Sequence, residues 1–357
     1  DFGCGFDVDQ ARQTGYGLSA AYWAMVLIGS KTMPRVGFGL TFAHFDAVSF
    51  LLQVANAAPK FLIAMLTILH ISDLHFGPPY VPRVGEALLQ IAPECQPDVI
   101  VASGDFTQRA KPEQFQQARA FLDRLPEAPR VVVPGNHDVP LYRVRERLTN
   151  PLDLYQEHIS PELNTVLRLE NAVIVGLDST SPRRAISNGR IHRDQLEFCR
   201  REFQQSPDNA ARIVVAHHHV VPAPDYLFDK AMPKAKRAMT QFVDDGVELI
   251  LGGHLHRAYI GNSLDFYPGN HRDRGIVIVQ CGTTTSRRGR GRECEKNSFN
   301  LIRISDDMLQ ITHYMYFDED EGFGPQSRYL FPRAGKRFVE PVQGEPAADD
   351  AVSTARY

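Results

Sequence analysis

Residues 64–77 read AMLTILHISDLHFG, an apolar, strand-like run that closes on Asp73-Leu74-His75. The run at 67–72 is short and rich in β-branched residues, and Asp73 and His75 follow directly at its C-terminal end, so it reads as a sheet strand ending in two potential ligands. From Leu66 onward the chain keeps this habit. Apolar runs at 99–103, 130–133, 172–177, 213–216, 247–251, 276–281, 300–304 and 309–316 alternate with amphipathic segments. Behind Pro112, which suits a first helical turn, Phe115, Ala118, Leu122 and Leu125 recur at helical spacing, and Leu196, Cys199 and Phe203 do the same after Arg193. Short strands alternating with helices predict an α/β architecture.

Composition excludes several classes. With 43% apolar and 23% charged residues in 357, the chain is an ordinary globular protein. A formal net charge of -3 supplies no general pull toward nucleic acid or anionic lipid, so binding of either would need a local patch. Five scattered cysteines without CxxC pairing argue against a disulfide framework or a thiolate zinc site and suit a reducing, cytoplasmic setting. The most apolar stretches, 18–29 and 47–69, fall short of a stable membrane span, the second being broken by Gln53, Asn56, Pro59 and Lys60, and a signal-like or interfacial membrane association of one of them is the lesser alternative. Residues 1–64 lack Glu, hold seven glycines without period and show no helical or strand repeat. That contrast with the regular alternation from Leu66 onward sets 1–64 apart as an expected N-terminal extension, with 65–331 the functional domain and 332–357 a fraying tail.

The chemistry lies where the polar residues meet the runs. "HISDLH" (70–75), "SGD" (103–105), "PGNHD" (134–138), "HHH" (217–219) and "GGHLH" (252–256) each follow an apolar run. Open α/β sheets place ligands at those C-terminal strand ends. In extended backbone Asp73 and His75 would leave the same face and reach one ion, and His254 with His256 would repeat the device. The glycines before Asp105, Asn136 and His254 allow a close backbone approach to a small buried centre. Asp, His and Asn donors without cysteine suit Mn, Fe or Zn in five- or six-coordination. Two such ions sharing a carboxylate would clamp the oxygens of an in-line phosphoryl displacement. Strand alternation leaves open whether His217 with His219, or His218 alone, faces that centre.

The ordered set Asp-x-His, Gly-Asp, Gly-Asn-His-Asp, His, Gly-His-x-His resembles the calcineurin-like metallophosphoesterases, in particular their class III cyclic-nucleotide phosphodiesterase branch, over roughly residues 66–304. The resemblance implies a four-layer α/β/β/α sandwich with a dimetal centre at the C-terminal ends of the strands. It implies Asp73, His75 and His256 on one ion, Asn136, His217 and His254 on the other, Asp105 bridging them, and His137 as the catalytic, non-ligating histidine. Among the three adjacent histidines it selects the first. The implied activity is hydrolysis of a phosphoester by a hydroxide shared between the ions, with a small phosphodiester such as 3',5'-cyclic AMP as substrate and no other cofactor.

Sister families fit less well. Serine/threonine phosphatases continue Gly-Asp toward Asp-Arg-Gly, where this chain has Gln108, Arg109 and Ala110, leaving Arg109 as a candidate phosphate contact. Lipid A pathway pyrophosphatases carry arginine at the position of His137. Double-strand-break nucleases add a DNA-binding cap for which little chain remains, and a phosphomonoesterase or a non-catalytic scaffold stands further back. The second Gly269-Asn270-His271 follows no apolar run and reads as a loop, as does the acidic Asp318 to Glu321; the basic run at 286–292 reads as a solvated loop or, since it follows the strand ending at Cys281, as a phosphate or nucleic-acid contact near the substrate mouth.

Overall fold

The computed structural model describes residues 65–183, 188–222, 230–267, 275–294 and 296–333. The expected extension at 1–64, most of the 332–357 tail and the second Gly-Asn-His therefore lie outside the described residues. In chain order the strands and helices are β1 (Leu66–Ile71), α1 (Pro82–Ile91), β2 (Val99–Ala102), α2 (Pro112–Arg124), β3 (Arg130–Val132), α3 (Val144–Thr149), α4 (Asp153–His158), β4 (Thr165–Arg168) and β5 (Ala172–Leu177). They continue as α5 (Arg193–Gln204), β6 (Ala211–Ala216), α6 (Ala235–Asp244), β7 (Leu249–Gly252), β8 (Tyr259–Asn262), β9 (Val277–Gln280), β10 (Ser298–Ile304), β11 (Met308–Phe317) and β12 (Gly322–Pro332).

Two six-stranded sheets result, in the orders β12-β11-β10-β1-β2-β3 and β4-β5-β6-β7-β9-β8. Strands β1-β2-β3 and β5-β6-β7-β9 are parallel; antiparallel β10, β11 and β12 extend the first sheet on one side, with β3 as its other edge, and antiparallel β4 and β8 flank the second on both sides. Parallel strands are covered on both faces, which is why β1, β2, β5 and β7 are buried throughout and, apart from Thr67 and His70 of β1, apolar. Alternation sorts their side chains. Leu66 and Ile68 of β1 join Val99, Val101, Ile174, Ile213, Val215 and Leu251 in a layer between the sheets, whereas Leu69 and Ile71 face outward.

Phe115, Ala118 and Leu122 of α2, with Val84 and Leu88 of α1, cover the outer face of the first sheet. Leu196, Cys199 and Phe203 of α5, with Met239 and Phe242 of α6, cover that of the second. Each fully buried Leu, Ile or Phe contributes roughly 1.5–3 kcal/mol, so the three apolar layers dominate the favourable side of folding. The architecture is the expected four-layer α/β/β/α sandwich.

Pro112 starts α2 with Glu113 in the first turn and Arg124 in the last, a charge order that suits the helix dipole. The acidic Asp318 to Glu321 forms the turn between β11 and β12, where Asp318 meets Arg83 at 2.7 Å. Arg333, just past β12, is pinned by Glu248 at 2.8 Å. The four described cysteines are unpaired. Among the described residues no helix is long and apolar enough to cross a membrane.

Candidate metal centre

Five loops converge at the C-terminal ends of β1, β2, β3, β6 and β7, and main-chain bonds stitch them together. Asp73 N–H donates to Gly104 O at 3.0 Å, His75 N–H to Asp105 O at 2.9 Å, and Gly253 N–H to His217 O at 3.0 Å. Asp73, His75, Asp105 and His256 are all buried, and their donor atoms lie within 4.8 Å of one another.

The local backbone differs from expectation. Asp73 (φ 53°), His75 (φ 50°), Asp105 (φ 54°), His254 (φ 72°) and His256 (φ 53°) all adopt left-handed rather than extended conformation. The shared-face argument for Asp73 with His75, and for His254 with His256, is therefore corrected: both pairs sit past their strands' ends, where tight turns aim the side chains. Left-handed conformation costs a non-glycine residue roughly 1 kcal/mol or more, and such strain concentrates at functional sites. Glycine remains essential between them. Gly104 has φ 98°, and a Cβ there would stand 2.6 Å from His217 Nδ1.

Each carboxylate at the centre has one oxygen secured and one bare. Asp73 Oδ2 accepts from Ser72 Oγ at 2.7 Å and His254 N at 3.0 Å, and Asp105 Oδ1 accepts from His137 N at 2.7 Å. Asp73 Oδ1 and Asp105 Oδ2 are buried without a hydrogen-bond partner. Around them stand ring nitrogens: His256 Nε2 is 3.0 Å and His75 Nε2 3.6 Å from Asp73 Oδ1. Asp105 Oδ2 lies 3.7 Å from His75 Nε2 and 3.4 Å from His217 Nε2, between two groups of candidate donors. Asn136 Oδ1 completes the second group, 3.2 Å from His217 Nε2 and 2.8 Å from His254 Nδ1.

Carbonyl groups behind the imidazoles fix their proton positions. His217 Nδ1–H donates to Ser103 O at 2.7 Å and His256 Nδ1–H to Arg288 O at 2.9 Å. Metal ligation requires these rings neutral, and this hydrogen bonding then turns their Nε2 lone pairs toward the bare carboxylate oxygens. Lone pair against carboxylate, and two imidazole nitrogens (His75 Nε2 and His256 Nε2) 3.0 Å apart, is an arrangement that a cation resolves, so the donor set fits metal ions. The same field moves the titrations. Burial opposes ionisation of Asp73 and Asp105, yet His256 beside the first and His217 beside the second hold both carboxyls well below the usual range. Burial likewise lowers His217, but Asp105 outweighs it and lifts that imidazole to about 9.

His217 is the one of the three adjacent histidines that reaches Asp105 and Asn136. His218 Nδ1 meets Ser179 Oγ at 2.9 Å, and His219 Nε2–H donates to Lys230 O at 3.0 Å while its ring stacks on His254. His137 stands edge-on to His75, ring centroids 4.8 Å apart, and its Nδ1–H donates to Gln108 O at 2.9 Å. Asp138 is a clamp: its carboxylate accepts from the N–H groups of Phe106, Thr107 and Gly135 and so ties the loop after β2 to the loop after β3. A cleft of about 510 Å³ opens over the centre, lined by Asp105, Asn136, His137, His254, His256 and Arg288 among others.

Two sequence readings change here. Arg109 turns to the ring of Tyr142, 5.2 Å from its centroid, and is absent from the described cleft lining. Of the two readings of the basic run, the placement near the cleft is the one observed, since Arg288 and Arg290 line it. Gln108, met in the sequence only as a departure from the phosphatase pattern, supplies the carbonyl that orients His137, a role without a sequence signal.

Comparison with known proteins agrees with this geometry. A model of the calcineurin-like phosphoesterases matches residues 66–258, more than half of the chain. A probable cyclic nucleotide phosphodiesterase of Synechococcus sp. is 27% identical over 217 residues, 57% of this chain and 79% of that protein. Another from Rhodococcus erythropolis is 28% identical over 207 residues, 53% of this chain and 64% of that protein. Among solved structures, a purple acid phosphatase from yellow lupin (Lupinus luteus) seeds superposes with a TM-score of 0.58 at 11% identity, over 76% of this chain and about half (54%) of its own, a likeness of fold alone. From its sandwich, its five strand-end loops and this match, the chain belongs to the calcineurin-like phosphoesterase family.

Proposed function

We propose that the chain is a dimetal phosphodiesterase acting on a small phosphodiester, 3',5'-cyclic AMP being the leading case. The observation that carries this reading is the pair of bare, buried carboxylate oxygens, Asp73 Oδ1 and Asp105 Oδ2, facing imidazole nitrogens at the floor of an open cleft. Asp73, His75 and His256 would hold one ion and Asn136, His217 and His254 the other, with Asp105 Oδ2 shared. Divalent or mixed-valence Mn, Fe or Zn bound there would lower the pKa of a water and neutralise charge on the phosphoryl oxygens.

The chain's own groups then position and protonate. Ser103 O and Arg288 O hold His217 and His256 in the tautomer that points Nε2 inward. Gln108 O secures Nδ1 of His137, so Nε2 is the atom that delivers a proton to the leaving oxygen. The catalytic unit in this reading runs from Met65 through β12. The preference for a diester draws support from the printed names of the two bacterial relatives. A turnover screen tests it: cyclic AMP, cyclic GMP, bis(p-nitrophenyl) phosphate and a glycerophosphodiester against p-nitrophenyl phosphate and single-stranded DNA. A small diester is expected to exceed p-nitrophenyl phosphate in kcat/KM by about tenfold or more, a modest discrimination for an enzyme site. Preference for the monoester or for single-stranded DNA would overturn the substrate assignment.

A further inference from the structure

We propose that Arg288 is a catalytic residue that binds a non-bridging oxygen of the substrate's phosphoryl group, with Gln108 holding it in place. The inference rests on the phosphodiesterase reading of the site. Its starting point is the run Ser286-Arg-Arg-Gly-Arg-Gly-Arg292, which carries four arginines in seven residues beyond the strand β9. That segment is held at several points. Asn297 Nδ2–H donates to Ser286 O at 2.8 Å, Arg287 N–H to Pro79 O at 2.9 Å and Arg290 N–H to His256 O at 3.0 Å. A guanidinium on a loop fixed this way is pre-organised, which is what binding a transient charge requires.

Arg288 is half-buried in the cleft, and its partner is unusual. Nη1–H donates to the neutral amide oxygen of Gln108, Oε1, at 3.0 Å. Among the described residues no carboxylate lies within ion-pair distance of Arg288, and the rest of its five-donor fork has no hydrogen-bond partner. A partly buried cation without a counter-anion is costly, so the arrangement suits a site whose anion arrives with the ligand. Gln108 thereby serves two groups at once, holding His137 by its carbonyl and Arg288 by its side chain. The proton donor and the phosphoryl clamp would share one support.

The test compares wild type, Arg288→Ala, Arg288→Lys and Gln108→Ala, each reconstituted with Mn²⁺ and assayed for metal content. Arg288→Ala is expected to lower kcat/KM for bis(p-nitrophenyl) phosphate by about 10² to 10³-fold, as loss of one transition-state donor does, while still holding two ions. Calorimetry should show inorganic phosphate binding weakened by about tenfold or more, as expected for loss of a charge-assisted bond. Millimolar guanidinium should restore part of the lost rate in Arg288→Ala and none in wild type. Arg288→Lys should recover only a fraction, because an ammonium lacks the planar fork. Gln108→Ala should fall between wild type and Arg288→Ala. Turnover and phosphate affinity in Arg288→Ala within about threefold of wild type, on the scale where a charged bond is worth well over that, would overturn the inference. So would a loss that tracks missing metal and resists guanidinium, which would mark Arg288 as a support for His256 alone. Wild type inactive on every phosphodiester would sink the functional reading, and the phosphate-binding comparison would still decide Arg288.

Discussion

Asp105→Ala should abolish turnover of phosphodiesters, with kcat/KM falling by about 10³ to 10⁴-fold, the scale of several kcal/mol of lost charge stabilisation. The size follows from position. Asp105 Oδ2 lies 3.4 Å from His217 Nε2 and 3.7 Å from His75 Nε2, so it is the one carboxylate oxygen placed between both ligand groups. Its other oxygen accepts the His137 amide, so the same substitution also unseats the proposed proton donor. Elemental analysis should show fewer than two ions retained. The metal-free variant should melt earlier than metal-free wild type, because the change leaves His217 and the His137 amide without their buried partner. Full turnover with Asp105→Ala would remove the bridging role.

His137→Ala should behave differently although its neighbours are the same. A general acid contributes about 10² to 10⁴-fold, so kcat should fall by that amount, but metal content should stay at two because His137 is outside the proposed ligand set. The leaving group provides the sharper readout. p-Nitrophenolate departs without a proton, whereas the ribose alkoxide of cyclic AMP needs one. The variant should therefore lose far more activity on cyclic AMP than on bis(p-nitrophenyl) phosphate. Equal losses on both would assign His137 to charge stabilisation instead of proton delivery.

The sequence made the interior of the sheets readable and their margins much less so. β1, β2, β5 and β7 are covered on both faces, so β2, β5 and β7 are unbroken apolar runs and β1 is interrupted only by the buried Thr67 and His70. β4, β8 and β12 lie at the outer edges, and their half-exposed TVLR, YIGN and GFGPQSRYLFP carry Gly, Pro or polar residues in place of alternation. They form because a neighbour offers a ladder of donors and acceptors, a long-range cause with no local trace.

The site divides in the same way. Its side-chain donors were legible, since five polar clusters after five apolar runs have no bland explanation when taken together. The turn geometry was not, because the left-handed φ of Asp73 and His75 is imposed by bonds from their amides to Gly104 O and Asp105 O across the sheet. Nor were the carbonyls of Ser103, Gln108 and Arg288 that set the histidine tautomers, for a backbone oxygen carries no residue identity.

The central claim, that this centre holds two ions and works through both, is tested most directly by titration. Protein stripped with a chelator is back-titrated with Mn²⁺ while bound metal and hydrolysis of bis(p-nitrophenyl) phosphate are measured on the same samples. Activity absent after stripping, and rising to a plateau only as the second equivalent per chain is bound, is the predicted result. Full activity in the stripped protein, or a plateau reached at one equivalent, would contradict it.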